Sequence, residues 1–455
     1  MSAEGGELFC PLDHRYGRDE VRALFLPEAR LRRALLVEAA LAEGEAELGM
    51  IPADAAKAIG RAARGGTVSL VRVEALEREL SHDVMAITRA LAEAAGEGGA
   101  WVHFGATSAD ITDSALALEL KDSAAILRKD LTALARALLA LAEKHAGTAQ
   151  VGRTHGQHAL PLSFGYKMAG AAAEVLRHRR RLDELTPRLT VGKMAGAVGT
   201  GAGFGAKAAE LELEVMKRLG IGTDEAPTQV VSRDRLAELT NLLALVAGTA
   251  ERLSTEVRNL QRTEIAEVAE AFDEARQVGS STMAQKRNPR LSENVTSLAR
   301  MLRALALPPL ENMVLWHERD LANSANERIV IPHAVLLADD ILTKLTDVFT
   351  HLEVDPDRMQ ANLQSSRGTV MTERLMLALT EKGVARSEAH ELLRKLTRDS
   401  SAGPSLRERA SAEPTVKRLF PSSELSELLD PMSYVKAAEA KTRRVVRALS
   451  EEIGR

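Results

Sequence analysis

The sequence predicts an all-α protein of three helical domains, with a central bundle of long helices that packs into a helical core shared by several subunits. Three observations carry that expectation. Aromatic residues make up only 3 % of the 455, while apolar residues reach 45 %, so the core is built from Ala, Leu and Val. Such residues favour closely packed helices. After Ser232, apolar side chains fall at Leu236, Leu239, Leu243, Val246, Ala250, Leu253, Val257 and Leu260, alternating by 3 and 4 as in a heptad seam. Leu242 and Leu245 widen that seam, so the helix buries two faces. Rods of this kind are covered by neighbouring chains as well as by their own.

Taken in order, residues 1–107 read as an N-terminal helical domain with helices at about 18–48, 52–63 and 71–95. Gly96, Gly98 and Gly99 break the pattern before Trp101. Residues 108–354 form the central bundle. Its first rod covers 110–146, with Leu131, Leu134, Leu138 and Leu141 again spaced by 3 and 4, and Gly147 at its end. A second covers 162–185. The seam after Ser232 is expected to run to about Phe272, nearly 40 residues or roughly 55 Å. Further helices are expected at 289–307 and 318–352. Residues 355–455 form a C-terminal domain of short helices, punctuated by Gly403-Pro404, Pro414, Pro421 and Pro431. No strand alternation is long enough to predict a sheet.

Composition narrows the function classes. The net charge is −4, with no basic tail or stripe, so no nucleic-acid partner is expected. An anionic ligand would have to be held by a few local Arg and Lys. Cys10 is the only cysteine, which excludes an internal disulfide and a cysteine metal cluster and suits the cytoplasm. No signal peptide and no membrane span are expected.

Four polar, glycine-bearing segments interrupt the helices. The sharpest is Gly279-Ser280-Ser281-Thr282-Met283-Ala284-Gln285-Lys286-Arg287-Asn288-Pro289. It reads either as a plain inter-helix loop or as a lid with a glycine hinge, followed by a proline suited to the next helix's first turn. In Gly152-Arg153-Thr154-His155-Gly156-Gln157-His158, a histidine among small residues either caps a helix entrance or reaches a ligand. In His103-Phe104-Gly105-Ala106-Thr107-Ser108-Ala109-Asp110, Thr107 or Ser108 is a helix cap, an anion contact, or both. In Trp316-His317-Glu318-Arg319-Asp320, followed by Ser324, Glu327 and Arg328, the charges are ordinary helix pairs or a bracket for carboxylate and phosphate. No metal-ligand spacing and no nucleotide glycine loop is present.

Together, and in this order, the segments resemble the fumarase/aspartase superfamily, whose signature Gly-Ser-Ser-x-Met-Pro-x-Lys-x-Asn-Pro is matched by residues 279–289 except at Ala284. Within it, the whole chain is similar to the adenylosuccinate lyase family. The carrying runs are Asp13-His14-Arg15-Tyr16-Gly17, Ser81-His82-Asp83-Val84, Thr228-Gln229-Val230 leading to Arg233-Asp234-Arg235, and Trp316 to Arg328. The resemblance implies Ser280 as general base and His155 as linked to the general acid. Glu293 would orient that histidine, with His82 also at the site. Lys286 and Asn288 would bind the succinyl carboxylate. Arg15, Tyr16, Ser324 and Arg328 would meet the nucleotide phosphate, with Ser81, Asp83, Thr107, Ser108, Gln229 and Arg319 as further substrate contacts. Ala284 replaces the loop proline, Gln285 stands where histidine is usual, Ser81 where a basic residue is usual, and Gly201 where a larger residue is common. Gln285 is more like the argininosuccinate lyase family. That family, the carboxymuconate cycloisomerases and a non-catalytic structural homologue are the alternatives.

The implied reaction is a β-elimination that cleaves a C–N bond and releases fumarate, acting on adenylosuccinate and on its imidazole-carboxamide counterpart in purine biosynthesis. It needs no metal or organic cofactor. Thr107 opens the first rod and His155 lies beyond its end, roughly 55 Å away along one chain. The site is therefore expected between subunits, in a homotetramer.

Overall fold

The structure is a computed structural model that describes residues 10–272, 282–283, 285–398 and 403–454. Helices dominate it. The first rod is a single helix, Ser108–Lys144, of 37 residues. The next long helices are Phe164–Leu189, Asp234–Leu260, Arg290–Ala304 and Ser324–Thr350.

Several expected helices differ, each for a local reason. The segment at 18–48 divides into Asp19–Arg22 and Pro27–Glu47, because Pro27 lacks an N–H and opens a new helix instead of continuing one. The segment at 71–95 divides at Ser81, whose φ of 51° ends the helix Leu70–Leu80 before Asp83–Ala95 begins. The seam after Ser232 stops at Leu260 and not near Phe272, since Ala266 takes φ 53° and Val268–Ala269 pairs antiparallel with Glu353–Val354. The last long helix starts at Ser324 and not near 318. There the Asp320 carboxylate accepts the Trp316 and Ala322 N–H groups, both at 2.7 Å, and competes with the helical ladder.

The expectation of no sheet is also corrected. Ala149–Thr154 and Gln157–Ser163 form an antiparallel hairpin, and Val191–Gly192 pairs with Gly222–Thr223 in parallel. The hairpin strands are short and mix glycine, proline and charge, so they lack clean alternation.

By packing, the chain divides into two compact units. One comprises Met1–Leu131, Arg177–Ala250 and Ser297–Thr343. The other comprises Thr132–Leu176, Glu251–Thr296 and Lys344–Arg455. In the first unit the helix Pro27–Glu47 is buried on two faces. Leu31, Leu35 and Ala39 pack with Ile59, Leu76 and Leu91, while Ala34, Val37 and Leu41 pack with Leu211, Val215 and Met216. Each fully buried Leu or Val contributes roughly 1.5–3 kcal/mol. In the second unit Ala149 and Val151, at the base of the hairpin, join a core with Leu363, Met371, Leu375 and Phe420.

The most demanding burial in the first unit is ionic. Asp110 and Lys193 are both wholly buried and form an ion pair. Asp110 also accepts the N–H groups of Thr107 at 2.8 Å, Ala195 at 3.0 Å and Gly196 at 3.1 Å. It thus caps the 37-residue helix and holds the 194–196 loop against it. Replacing Lys193 with Met should lower stability by about 3–5 kcal/mol, because it strands the buried carboxylate. An unchanged urea midpoint for Lys193→Met would show that the pair does not bear on the fold.

Candidate active site

The first unit contains a cleft of about 950 Å³. Of the residues singled out in the sequence, Ser81, His82, Asp83, Ser108, Gln229, Arg319, Ser324 and Arg328 line it. They arrive from five stretches of chain: the 81–83 junction, the start of the Ser108–Lys144 helix, Gln229, Arg319, and the first turns of Ser324–Thr350. Ser81 is a left-handed residue that ends one helix, which lets His82 serve as the N-cap of the next. The His82 Nδ1 accepts the Met85 N–H at 3.3 Å. An accepting Nδ1 puts the proton of the neutral ring on Nε2. Ser108 is the first residue of the long helix, beside its cluster of unpaired N–H groups.

Five arginines line the wall, Arg30, Arg33, Arg233, Arg319 and Arg328, and the last two belong to the runs singled out in the sequence. Arg328 donates to the Asp83 carboxylate at 2.7 Å. Burial pushes the Asp83 carboxyl up, but the bonds from Arg328 and the Val84 N–H outweigh it and hold it below the usual carboxylate range. Arg319 donates from Nη1 to Gln229 Oε1 at 3.0 Å. Gln229 Nε2 in turn donates to the Ala197 carbonyl at 2.8 Å, which sets the amide's orientation. The Arg319 Nε is buried and has no hydrogen-bond partner among the described residues.

Behind these residues lies a clamp to which the sequence reading gave no role. Arg233 makes a two-pronged contact with Asp113, at 2.9 and 3.1 Å, and its Nε lies 3.2 Å from Glu327. Glu327 also accepts from Asn323 at 3.0 Å. Burial pushes the Glu327 carboxyl up, opposed first by the charge of Arg233. The clamp ties the 229–233 segment to the Ser108–Lys144 and Ser324–Thr350 helices. Arg233 and Glu327 stood inside quoted runs. Asp113 had only its place near Asp110 on the helix as a signal.

Thr107 precedes Ser108 as a half-buried cap, and it does not line the cleft. Arg15 and Tyr16 do not line it either. Arg15 lies over the Tyr16 ring at 5.9 Å. Their segment is held by Gly17 N–H on Asp340 at 3.0 Å and by Arg18 on Asp130 at 2.7 Å and on Asp339. The Asp130 carboxyl is pushed up to about 7 by burial and by neighbouring Asp339, against the pull of Arg18.

The second unit carries another group. His155 is not at a helix entrance: with φ 55° it shares a two-residue turn with Gly156, φ 74°, at the tip of the hairpin. Both positive angles make this a type I′ turn, which matches strand twist. His155 is exposed. Glu293 is exposed in the first turn of Arg290–Ala304, and no hydrogen bond joins it to His155 among the described residues. Lys286 is exposed and Asn288 half-buried just before that helix. Ser280, with Ser281 and Ala284, lies outside the described residues. The Glu270 carboxylate caps the same helix, accepting the Leu291 and Ser292 N–H groups at 3.0 and 2.7 Å. Nearby Glu267 is fully buried. Burial pushes its carboxyl up, yet donors from Arg153, Asn362 and Gln150 hold it below the usual range. Among the described residues no cluster of His, Cys, Asp and Glu could hold a metal ion.

Comparison with known proteins agrees with the motifs. Residues 14–303 match the lyase family model, and residues 368–445 match the model of the adenylosuccinate lyase C-terminus. The chain is 45 % identical to the adenylosuccinate lyase of Pyrococcus horikoshii, over 97 % of this chain and 98 % of that protein. It is 43 % identical to that of Methanothermobacter thermautotrophicus, over 96 % and 98 %. A solved fumarate lyase from Mesorhizobium sp. BNC1 superposes with a TM-score of 0.86 at 33 % identity, covering 94 % of this chain and 98 % of that one. The 3-carboxy-cis,cis-muconate lactonizing enzyme of Pseudomonas putida gives 0.86 at 32 % identity, covering 98 % and 99 %. This chain is a lyase and belongs to the adenylosuccinate lyase family of the fumarase/aspartase superfamily.

Proposed function

We propose that this enzyme cleaves adenylosuccinate to AMP and fumarate, and its succinyl-aminoimidazole-carboxamide ribotide counterpart, in cytoplasmic purine biosynthesis. The observation that carries this reading is the arginine-lined cleft, to which Arg319, Arg328 and Ser324 all contribute. That chemistry suits a nucleotide bearing phosphate and carboxylates. The relatives named adenylosuccinate lyase reach 46 % identity, while the muconate enzyme stands at 32 %.

In the reaction, Ser280 removes a proton from the succinyl carbon beside a carboxylate. That carboxylate takes up the developing negative charge, and Lys286 and Asn288 stabilise it by preorganised hydrogen bonds. A serine acts as base only where water is excluded and nearby N–H groups stabilise its alkoxide. The electron pair then expels the purine amine, and His155 returns a proton to the leaving nitrogen, with Glu293 supporting its imidazolium. His82 is the other candidate donor, since its Nε2–H has no partner among the described residues.

The enzyme works as a homotetramer whose sites draw residues from several chains. The 37-residue helix that begins at Ser108 supports this, since it rises by roughly 55 Å before the hairpin bearing His155 begins.

Ser280→Ala should lower turnover by roughly 10²–10⁴-fold, read as fumarate formation by ultraviolet absorbance. Near wild-type turnover in that variant would remove Ser280 from the base role. Arg328→Ala should raise KM for adenylosuccinate roughly 10- to 100-fold with a smaller change in kcat. An unchanged KM would refute the phosphate assignment. A chain that turns over 3-carboxymuconate or argininosuccinate, and leaves adenylosuccinate intact, would overturn the substrate assignment.

A further inference from the structure

We infer that Glu267 is a positioning residue for the hairpin that presents His155, an inference that rests on the reading of His155 as a proton donor. Residues 150 and 153 are an odd number apart, so in a regular strand their side chains point to opposite faces. Here both reach one carboxylate. Glu267 Oε2 accepts from Gln150 Nε2 at 2.7 Å and from Arg153 Nη1 at 3.1 Å. Its Oε1 accepts from Arg153 Nη2 at 2.6 Å and from Asn362 Nδ2 at 2.8 Å.

The pairing is irregular here: between Val151 and Arg153 the single residue Gly152 faces two of the second strand, Ala159 and Leu160, and the long Arg153 side chain reaches the carboxylate that Gln150 also meets. Bulges of this kind bend a strand and re-aim a side chain. Gly152 permits it, because a Cβ at that position would lie 2.8 Å from the Leu160 carbonyl oxygen.

The carboxylate is wholly buried, so its four donors must all be met or the charge is left unpaired in the interior. A bidentate arginine contact also fixes direction, not only distance. The hairpin therefore leaves Glu267 at one angle, and its tip lies two residues beyond Arg153. The same short stretch sets a second element: Glu270, three residues on, caps the helix that carries Glu293. Glu267 through Glu270 thus holds both the base of the His155 hairpin and the entrance of the Glu293 helix.

The test is a double-mutant cycle on the full-length enzyme with adenylosuccinate, using Glu267→Gln, His155→Asn and the double variant, with melting temperature measured alongside. A displacement of about 1 Å at a reacting group costs on the order of 10²-fold in rate. Glu267→Gln should accordingly lower kcat roughly 10- to 100-fold with KM within about threefold, and should do almost nothing further in the His155→Asn background. If the two losses multiply, or if Glu267→Gln keeps wild-type kcat, the positioning role is overturned while the reading of His155 stands. If His155→Asn itself retains wild-type kcat, the proton-donor reading falls and this inference falls with it. Should Glu267→Gln fail to fold, Arg153→Lys keeps the cation but loses the two-pronged contact, and it enters the same cycle with the same expected pattern.

Discussion

The Asp110 carboxylate, fully buried at the start of a 37-residue helix, is the constraint from which the first unit is built. It satisfies three backbone N–H groups and one ammonium, so no water is needed and none of these groups is left unpaired. Because a buried charge is tolerated only when every partner is in place, the helix start and the 194–196 loop are held in one arrangement. Ser108 and Gln229 inherit that arrangement, the first by adjacency and the second through its bond to the Ala197 carbonyl. The cleft is thus shaped by an interaction that does not touch its ligand.

A second ionic device refines the same wall. Asp113, Arg233 and Glu327 bring two negative charges to one positive charge in a nearly dry setting. Arg319 and Arg328 stand beside them and line the cleft, although the chain as a whole carries −4. Attraction of an anion therefore arises from short-range placement, not from a long-range field, and should depend weakly on ionic strength once the ligand is bound.

The long helices were legible because a heptad seam or an Ala/Leu run leaves a strong periodic signal. Their ends were less so. Leu260 ends its helix where a short strand pairing takes over, and that partner, Glu353–Val354, lies far along the sequence. The break at Ser81 went unread because a serine at positive φ has no sequence signature of its own, yet it is what makes His82 a cap. The hairpin was missed because its register slip and its charged residues hide alternation. In the site, the quoted runs led to the cleft-lining side chains. They did not reveal the carboxylates behind them: Asp113, Glu267 and Glu270 act through partners more than 20 residues away in sequence.

The left-handed turn at His155–Gly156 also restricts what evolution can try at that position. A two-residue turn with both φ angles positive admits Gly, Asn, Asp and His far more readily than branched or bulky side chains. Of those four, only histidine changes its charge near neutral pH without a shifted environment. The backbone handedness of a loop thus narrows the choice to a few residues, from which the need for a titratable group selects imidazole, and lysine, cysteine or tyrosine would pay a conformational penalty simply to stand there.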